Sequence, residues 1–153
     1  MKNIILLVTT LLIAVSGFTQ SLKTKYNTDD SKIALQGYSP VSYLELGVAE
    51  MGSKKYKVIH DGLTYYFTTE DQKDSFTANP EKYLPQYGGY CAFGVSVGAK
   101  FRVDPKKFIT ENGKYYLFLN DIEVDAQQLW LDGDHKALVS KANENWSKLR
   151  KTH

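Results

Sequence analysis

Half-cystines are all but missing from this chain of 153 residues: Cys91 is its one cysteine. A single cysteine excludes an internal disulfide, so the thiol fills space, binds a metal, reacts, or pairs with a partner. Charge of one sign is missing too. Lys and Arg number 19 against 17 Asp and Glu, and the two signs are interspersed. That balance gives no electrostatic footprint for nucleic acid. The short block Lys54-Lys55-Tyr56-Lys57 reads as a solvated strand edge. No apolar run follows the first 20 residues that is long enough to span a bilayer. Catalytic signatures are missing as well. There is no GxSxG elbow, no GxGxxG after a strand, and no calcium loop between Asp125 and Asp134.

What is present begins at the N-terminus. Lys2 precedes the apolar run Ile4–Val8 and Leu11–Val15, and Ser16, Gly17 and Thr19 supply small or short residues. The apolar stretch is about 12 residues, where a membrane span needs about 20. Residues 1–20 therefore read as a secretory signal peptide, with export to the periplasm or beyond the cell. Cleavage removes Lys2 and leaves a net excess of one positive charge. The remaining chain of about 130 residues is one domain by size, large enough to bury a core of its own. Residues 21–32 are polar and aperiodic and read as a linker, leaving 33–150 as the domain.

Ile33–Tyr38 reads as a short strand ending at Gly37. Ser39-Pro40 opens a short helix, Val41–Leu46, which Gly47 stops. Asp61-Gly62 marks a hairpin over 54–67 that pairs Tyr56 with Phe67, Val58 with Tyr65 and His60 with Leu63 on one core face. Thr69 to Gln72 has a capping-box pattern, Phe76 anchors the helix behind it, and Asn79-Pro80 ends that helix before another turn at Pro80–Tyr83. Glycines break up 86–98 and argue there for tight turning. Asn112-Gly113 marks a second hairpin over 106–119, pairing Phe108 with Leu117 and Ile109 with Tyr116. A helix over 122–131 would place Ile122, Ala126, Leu129 and Trp130 on one face, with Glu123 and Asp125 as first-turn acids. A last helix over 135–149 carries the stripe Leu138, Ala142, Trp146, Leu149, with Asp134 as its cap. No internal repeat stands out. The fold class is α+β: a small, mainly antiparallel sheet built from two hairpins, with short helices and a C-terminal helical pair.

Tyr65-Tyr66-Phe67, Phe76 and Asn79-Pro80-Glu81-Lys82-Tyr83, with Gly37-Tyr38-Ser39-Pro40-Val41 upstream, resemble the YHS domain family over about residues 33–83. The continuation Tyr87-Gly88-Gly89-Tyr90-Cys91-Ala92-Phe93-Gly94-Val95 resembles a subgroup of small exported proteins with this domain, as far as Trp146. The resemblance implies a binding module, and in its metal-binding form a zinc or copper site made by cysteines. This chain has none of those cysteines beside Tyr38–Val41 or after Phe67. A transition metal is thus the cofactor the resemblance brings in, and Cys91 is the one soft ligand available for it.

The candidate ligand site is a tyrosine- and glycine-rich concavity at Tyr38, Tyr87, Tyr90 and Cys91, since pockets join aromatic walls to a few polar groups. His60 reads as a solvated neighbour of its turn, His135 as a surface residue and His153 as a loose terminus. Tyr56, Tyr65 and Tyr115 read as core aromatics. The function expected is an exported, non-enzymatic binding module for a metal ion, a small molecule or an envelope protein. A thiol-dependent redox protein using Cys91 is the alternative from a different class, and a purely structural interaction domain is the third.

Overall fold

The computed structural model describes residues 23–152; the signal peptide expectation and His153 lie outside them. The helices are α1 (Pro40–Glu45), α2 (Glu70–Ala78), α3 (Pro80–Tyr83), α4 (Ala92–Ser96), α5 (Ala126–Asp132) and α6 (His135–Leu149). The strands are β1 (Ser53–His60), β2 (Leu63–Phe67), β3 (Asp104–Glu111) and β4 (Lys114–Phe118). β1 pairs antiparallel with β2 and β3 with β4, giving two separate two-stranded sheets in an α+β fold.

The two hairpins are built alike. Asp61-Gly62 and Asn112-Gly113 both hold positive φ at both turn residues, as a type I′ turn demands. In the first hairpin His60 faces Leu63, Val58 faces Tyr65, and the register then breaks so that Ser53 faces Phe67. In the second, Glu111 faces Lys114, Ile109 faces Tyr116, and the same break puts Asp104 opposite Phe118. The bulge corrects the expected pairing of Tyr56 with Phe67. Residues 54–56 loop out of the ladder and leave Tyr56 only half-buried.

The likeness extends beyond the hairpins, and it corrects the reading that the chain holds no repeat. Ile33–Tyr38 is not a strand. Its centre is a tight 3-10 turn, Ala34–Gly37, with Leu35, Gln36 and Gly37 at φ of 53°, 53° and 91°. Gln86–Gly89 makes the same turn, with Tyr87, Gly88 and Gly89 at 55°, 60° and 82°. Side-chain-bearing residues enter this left-handed region at a cost of about 1–2 kcal/mol each, so local propensity does not announce it. After each turn comes a tyrosine whose N–H donates three residues back: Tyr38 to the Leu35 carbonyl and Tyr90 to the Tyr87 carbonyl. Next stands a buried cap residue, Ser39 or Cys91, whose N–H donates to the Glu50 or Phe101 carbonyl. A short helix, the hairpin, and two further helices follow in both halves. Thr69 caps α2 by accepting from the Gln72 N–H, and Asp125 caps α5 by accepting from the Gln128 N–H. Residues 34–83 and 86–149 therefore repeat one element order.

Each half has its own aromatic centre. Phe76 of α2 lies 4.9 Å from Tyr65 and 5.1 Å from Phe67, ring centre to ring centre. Trp130 of α5 lies 5.5 Å from Tyr116 and 5.8 Å from Phe118. β4 joins the two centres. Its side chains alternate, so Tyr115 and Leu117 enter the first core while Tyr116 and Phe118 enter the second. Polar contacts cross the same boundary: the Tyr43 hydroxyl donates to the Pro105 carbonyl at 2.8 Å and the Tyr115 hydroxyl to the Tyr83 carbonyl at 2.8 Å.

α5 starts at Ala126, later than expected, because Asp125 is its cap rather than a first-turn acid. Ile122 and Leu129, expected on its apolar face, are exposed, and Glu123 stands in the solvated lead-in. Residues 86–98, expected to be irregular throughout, include the helix α4. Residues 23–32, expected as a linker, are strapped to the second half. The Asn27 N–H donates to the Gly88 carbonyl at 2.8 Å and the Tyr90 hydroxyl to the Lys23 carbonyl at 2.5 Å. None of the described helices is long and apolar enough to cross a membrane.

Candidate functional site

Cys91 stands at the start of α4, 1% exposed. Its Sγ accepts from the Gly94 N–H at 3.4 Å, and its neighbours in the second core include Val95, Tyr116, Phe118 and Trp130. Contrary to the expectation of a metal ligand, the residues around Cys91 do not fit a metal. A soft cation wants further thiolate or imidazole ligands, and here the enclosure is aromatic and aliphatic. Among the described residues no three His, Cys, Asp or Glu side chains gather into a metal-holding group.

The four residues expected to share a concavity are divided. Tyr38 packs against the first core. Tyr87 and Tyr90 pack with Cys91 in the second. The Tyr90 hydroxyl is spent on the strap, donating to the Lys23 carbonyl, and its ring lies under the Lys100 ammonium at 5.6 Å. Only Tyr87 of the four lines the main cleft, where its hydroxyl donates to Asn143 Oδ1 at 3.1 Å. Burial, and then the nearby Tyr116, push the Tyr87 hydroxyl well above the usual phenol range, so it stays protonated.

The histidines differ from their sequence reading. His60 is half-buried: its ring stands edge-on to Phe76 at 5.8 Å, and Nε2 lies 3.5 Å from Glu81 Oε1. His135 is half-buried too, with Nδ1 2.9 Å from Glu111 Oε2 and its ring edge-on to Trp130 at 5.3 Å. Both join the end of a first hairpin strand to the start of the last helix of its half.

The main cleft, about 650 Å³, opens where the halves meet. Asp61 at the first hairpin tip and Glu81 of α3 come from the first half; Tyr87, Asn143, Trp146, Arg150 and Lys151 come from the second. The strap contributes Lys25 and Tyr26. Three details set its shape. Gly88 has φ +60°, and a Cβ there would lie 1.9 Å from the Lys25 carbonyl oxygen, so only glycine lets the strap lie down. The same Cβ would stand 3.2 Å from the Trp146 ring, which marks how closely the last helix approaches. The Tyr26 hydroxyl donates to Asp61 Oδ2. Burial first, then the bond to Asp61 and the charges of Asp61 and Glu81, raise the Tyr26 hydroxyl far above the usual phenol range and keep it a donor.

Sequence reasoning missed most of this lining. Asp61 carried only a turn signal, Glu81 only a family motif, and Trp146 only a core stripe. Lys25 and Tyr26 sat in the supposed linker. The glycine pair Gly88-Gly89 was the one usable signal, because tight turning was expected there, though not the strap that lies against it. Comparison with protein-family models, with curated proteins and with solved structures finds no match in any of the three.

Proposed function

We propose that the chain is an exported binding module, YHS-like and without catalytic machinery of its own, that takes a small ligand in the cleft between its halves. The observation that carries the reading is the cleft itself. Its volume of about 650 Å³ lies inside the range of roughly 300–1,000 Å³ usual for ligand sites, and such sites favour the junction of two structural units. Tyr26, Tyr87 and Trp146 give it aromatic walls, and its charged residues give it polar groups to orient a ligand. The sealed, hydrogen-bonded setting of Cys91 speaks against thiol chemistry as the activity, because a reactive cysteine needs exposure and a neighbouring cation.

Two measurements test the reading. Intact-mass analysis of exported material should find a chain beginning between residues 17 and 22; a dominant species that keeps Met1 in the membrane counts against export. Amide chemical-shift mapping with a library of small polar molecules should move Gln86, Tyr87, Asn143 and Trp146 together at submillimolar concentration. If no compound moves them, the cleft is not a ligand site.

A further inference from the structure

We infer that the cleft takes a short zwitterionic peptide, its free amine held at the acidic end and its free carboxylate at the basic end. The inference rests on reading the cleft as the ligand site and goes on to name the chemical class. Five charged residues line it: Asp61 and Glu81, and Lys25, Arg150 and Lys151. Opposite charges that share a surface cleft normally pair. Here none of the three cations comes within 4.0 Å of either acid, and none has an ion-pair partner among the described residues.

The two acids and two of the three cations come from different halves. Asp61 is fixed at a type I′ turn, where it accepts from Tyr26, and Glu81 sits in the first turn of α3 facing His60. Arg150 and Lys151 follow the last turn of α6, in the other half of the molecule. Leu84, Pro85, Tyr87 and Trp146 are the less polar lining of the same cleft. An anion meets the basic groups but is opposed by the acids, and a cation meets the reverse. A molecule that carries both charges is opposed by neither. A single amino acid bears both on one carbon. Each added residue lengthens the reach by about 3.3–3.6 Å, so a short peptide brings its two charges to groups that stand well apart. Arg150 presents the planar fork that suits a carboxylate.

The test uses the mature chain and the peptide Ala-Phe-Ala. Titration followed by amide shifts should move Tyr87, Asn143 and Trp146. N-acetylation and C-amidation should each weaken binding at least tenfold. Asp61→Asn keeps the residue type that favours a type I′ turn, and it should remove most of the penalty of acetylation alone. Arg150→Gln, at an exposed site, should remove most of the penalty of amidation alone. Circular dichroism checks that both variants fold. A doubly capped peptide that binds as well as the free one overturns the inference. So does inorganic phosphate, if it moves the same amides where Ala-Phe-Ala does not. In either case a ligand in the cleft leaves the binding-module reading standing. Only if neither these probes nor the wider library moves the cleft amides do both fail.

Discussion

The two halves of the molecule share a backbone plan and differ in what holds it together. In the first half the cap residue is Ser39, and its hydroxyl donates to Gln72 Oε1 at 2.7 Å. The Gln72 amide donates in turn to Ser42 Oγ at 3.1 Å, Ser42 donates to Glu50 Oε2 at 2.7 Å, and the Thr68 N–H donates to Gln72 Oε1. This buried polar network ties α1 to α2. In the second half the cap is Cys91, Gly94 stands where Ser42 does, and Gln128 points outward to Asp132. There the Phe101 ring packs so closely against Gly94 that a Cβ would lie 2.5 Å from it, and Cys91 shares an apolar core with Val95, Tyr116, Phe118 and Trp130. One scaffold therefore accepts a hydrogen-bonded polar contact behind its cap residue in one half and an apolar enclosure there in the other.

The largest effects should come where the halves agree. Phe67 and Phe118 face equivalent bulge positions and are both fully buried. Phe67→Ala and Phe118→Ala should each cost about 3–5 kcal/mol in equilibrium denaturation, as truncated core aromatics do. The two losses should be of similar size. A cost below about 1 kcal/mol at either site would show that its half lacks the core described.

Next comes the position where the halves part. Gln72→Ala strips partners from Ser39, Ser42 and the Thr68 N–H at once, and buried groups left unpaired should make it cost about 2–3 kcal/mol. Gln128→Ala, at the exposed counterpart, should stay within about 0.5 kcal/mol. Equal costs would remove the distinction between a polar and an apolar interior. Chemical denaturation of the two variants under one condition decides it.

A smaller effect is expected at Cys91. Cys91→Ala should cost about 1 kcal/mol through lost volume. Cys91→Ser should cost more, although Ser39 stands at the equivalent place, because no counterpart of the Gln72 carbonyl waits for the hydroxyl proton. The native thiol should react with an alkylating reagent far more slowly than the unfolded one. Rapid labelling of folded protein would overturn the structural role and reopen a reactive one.

The hairpins, the caps at Thr69 and Asp134 and the last helix were legible because each rests on a short-range signal: two turn residues, a hydroxyl or carboxylate before a helix, a period of 3.6. The repeat was not. Its halves share few residues at matching places, among them Gly37 with Gly89, Tyr38 with Tyr90, Gly62 with Gly113, Tyr65 with Tyr116 and Phe67 with Phe118. The spacing between matches also shifts along the chain. What repeats is backbone conformation, above all a left-handed turn that Leu35 and Tyr87 enter against their preference. The cleft was illegible for a related reason. Its charges come from the strap, a hairpin tip, α3 and the end of α6, which only tertiary packing brings together.

The smallest effect concerns a histidine–glutamate contact that the halves wire in opposite senses. His60 ends β1 and faces Glu81 in α3; Glu111 ends β3 and faces His135 at the start of α6. The strand residue is the base in one half and the acid in the other. The Glu111–His135 contact is the closer, at 2.9 Å against 3.5 Å, and its acid is less exposed, at 37% against 79%. A double-mutant cycle on Glu111 and His135 should give a coupling of about 0.5–1 kcal/mol, and one on His60 and Glu81 less, as expected for partly solvated pairs. The sharper experiment exchanges the pair. Glu111→His alone sets two histidines face to face and should destabilise. Adding His135→Glu rebuilds the arrangement of the first half and should recover at least half of that loss. If the exchanged protein is no more stable than Glu111→His, the halves match in backbone while the environment of this contact is particular to each.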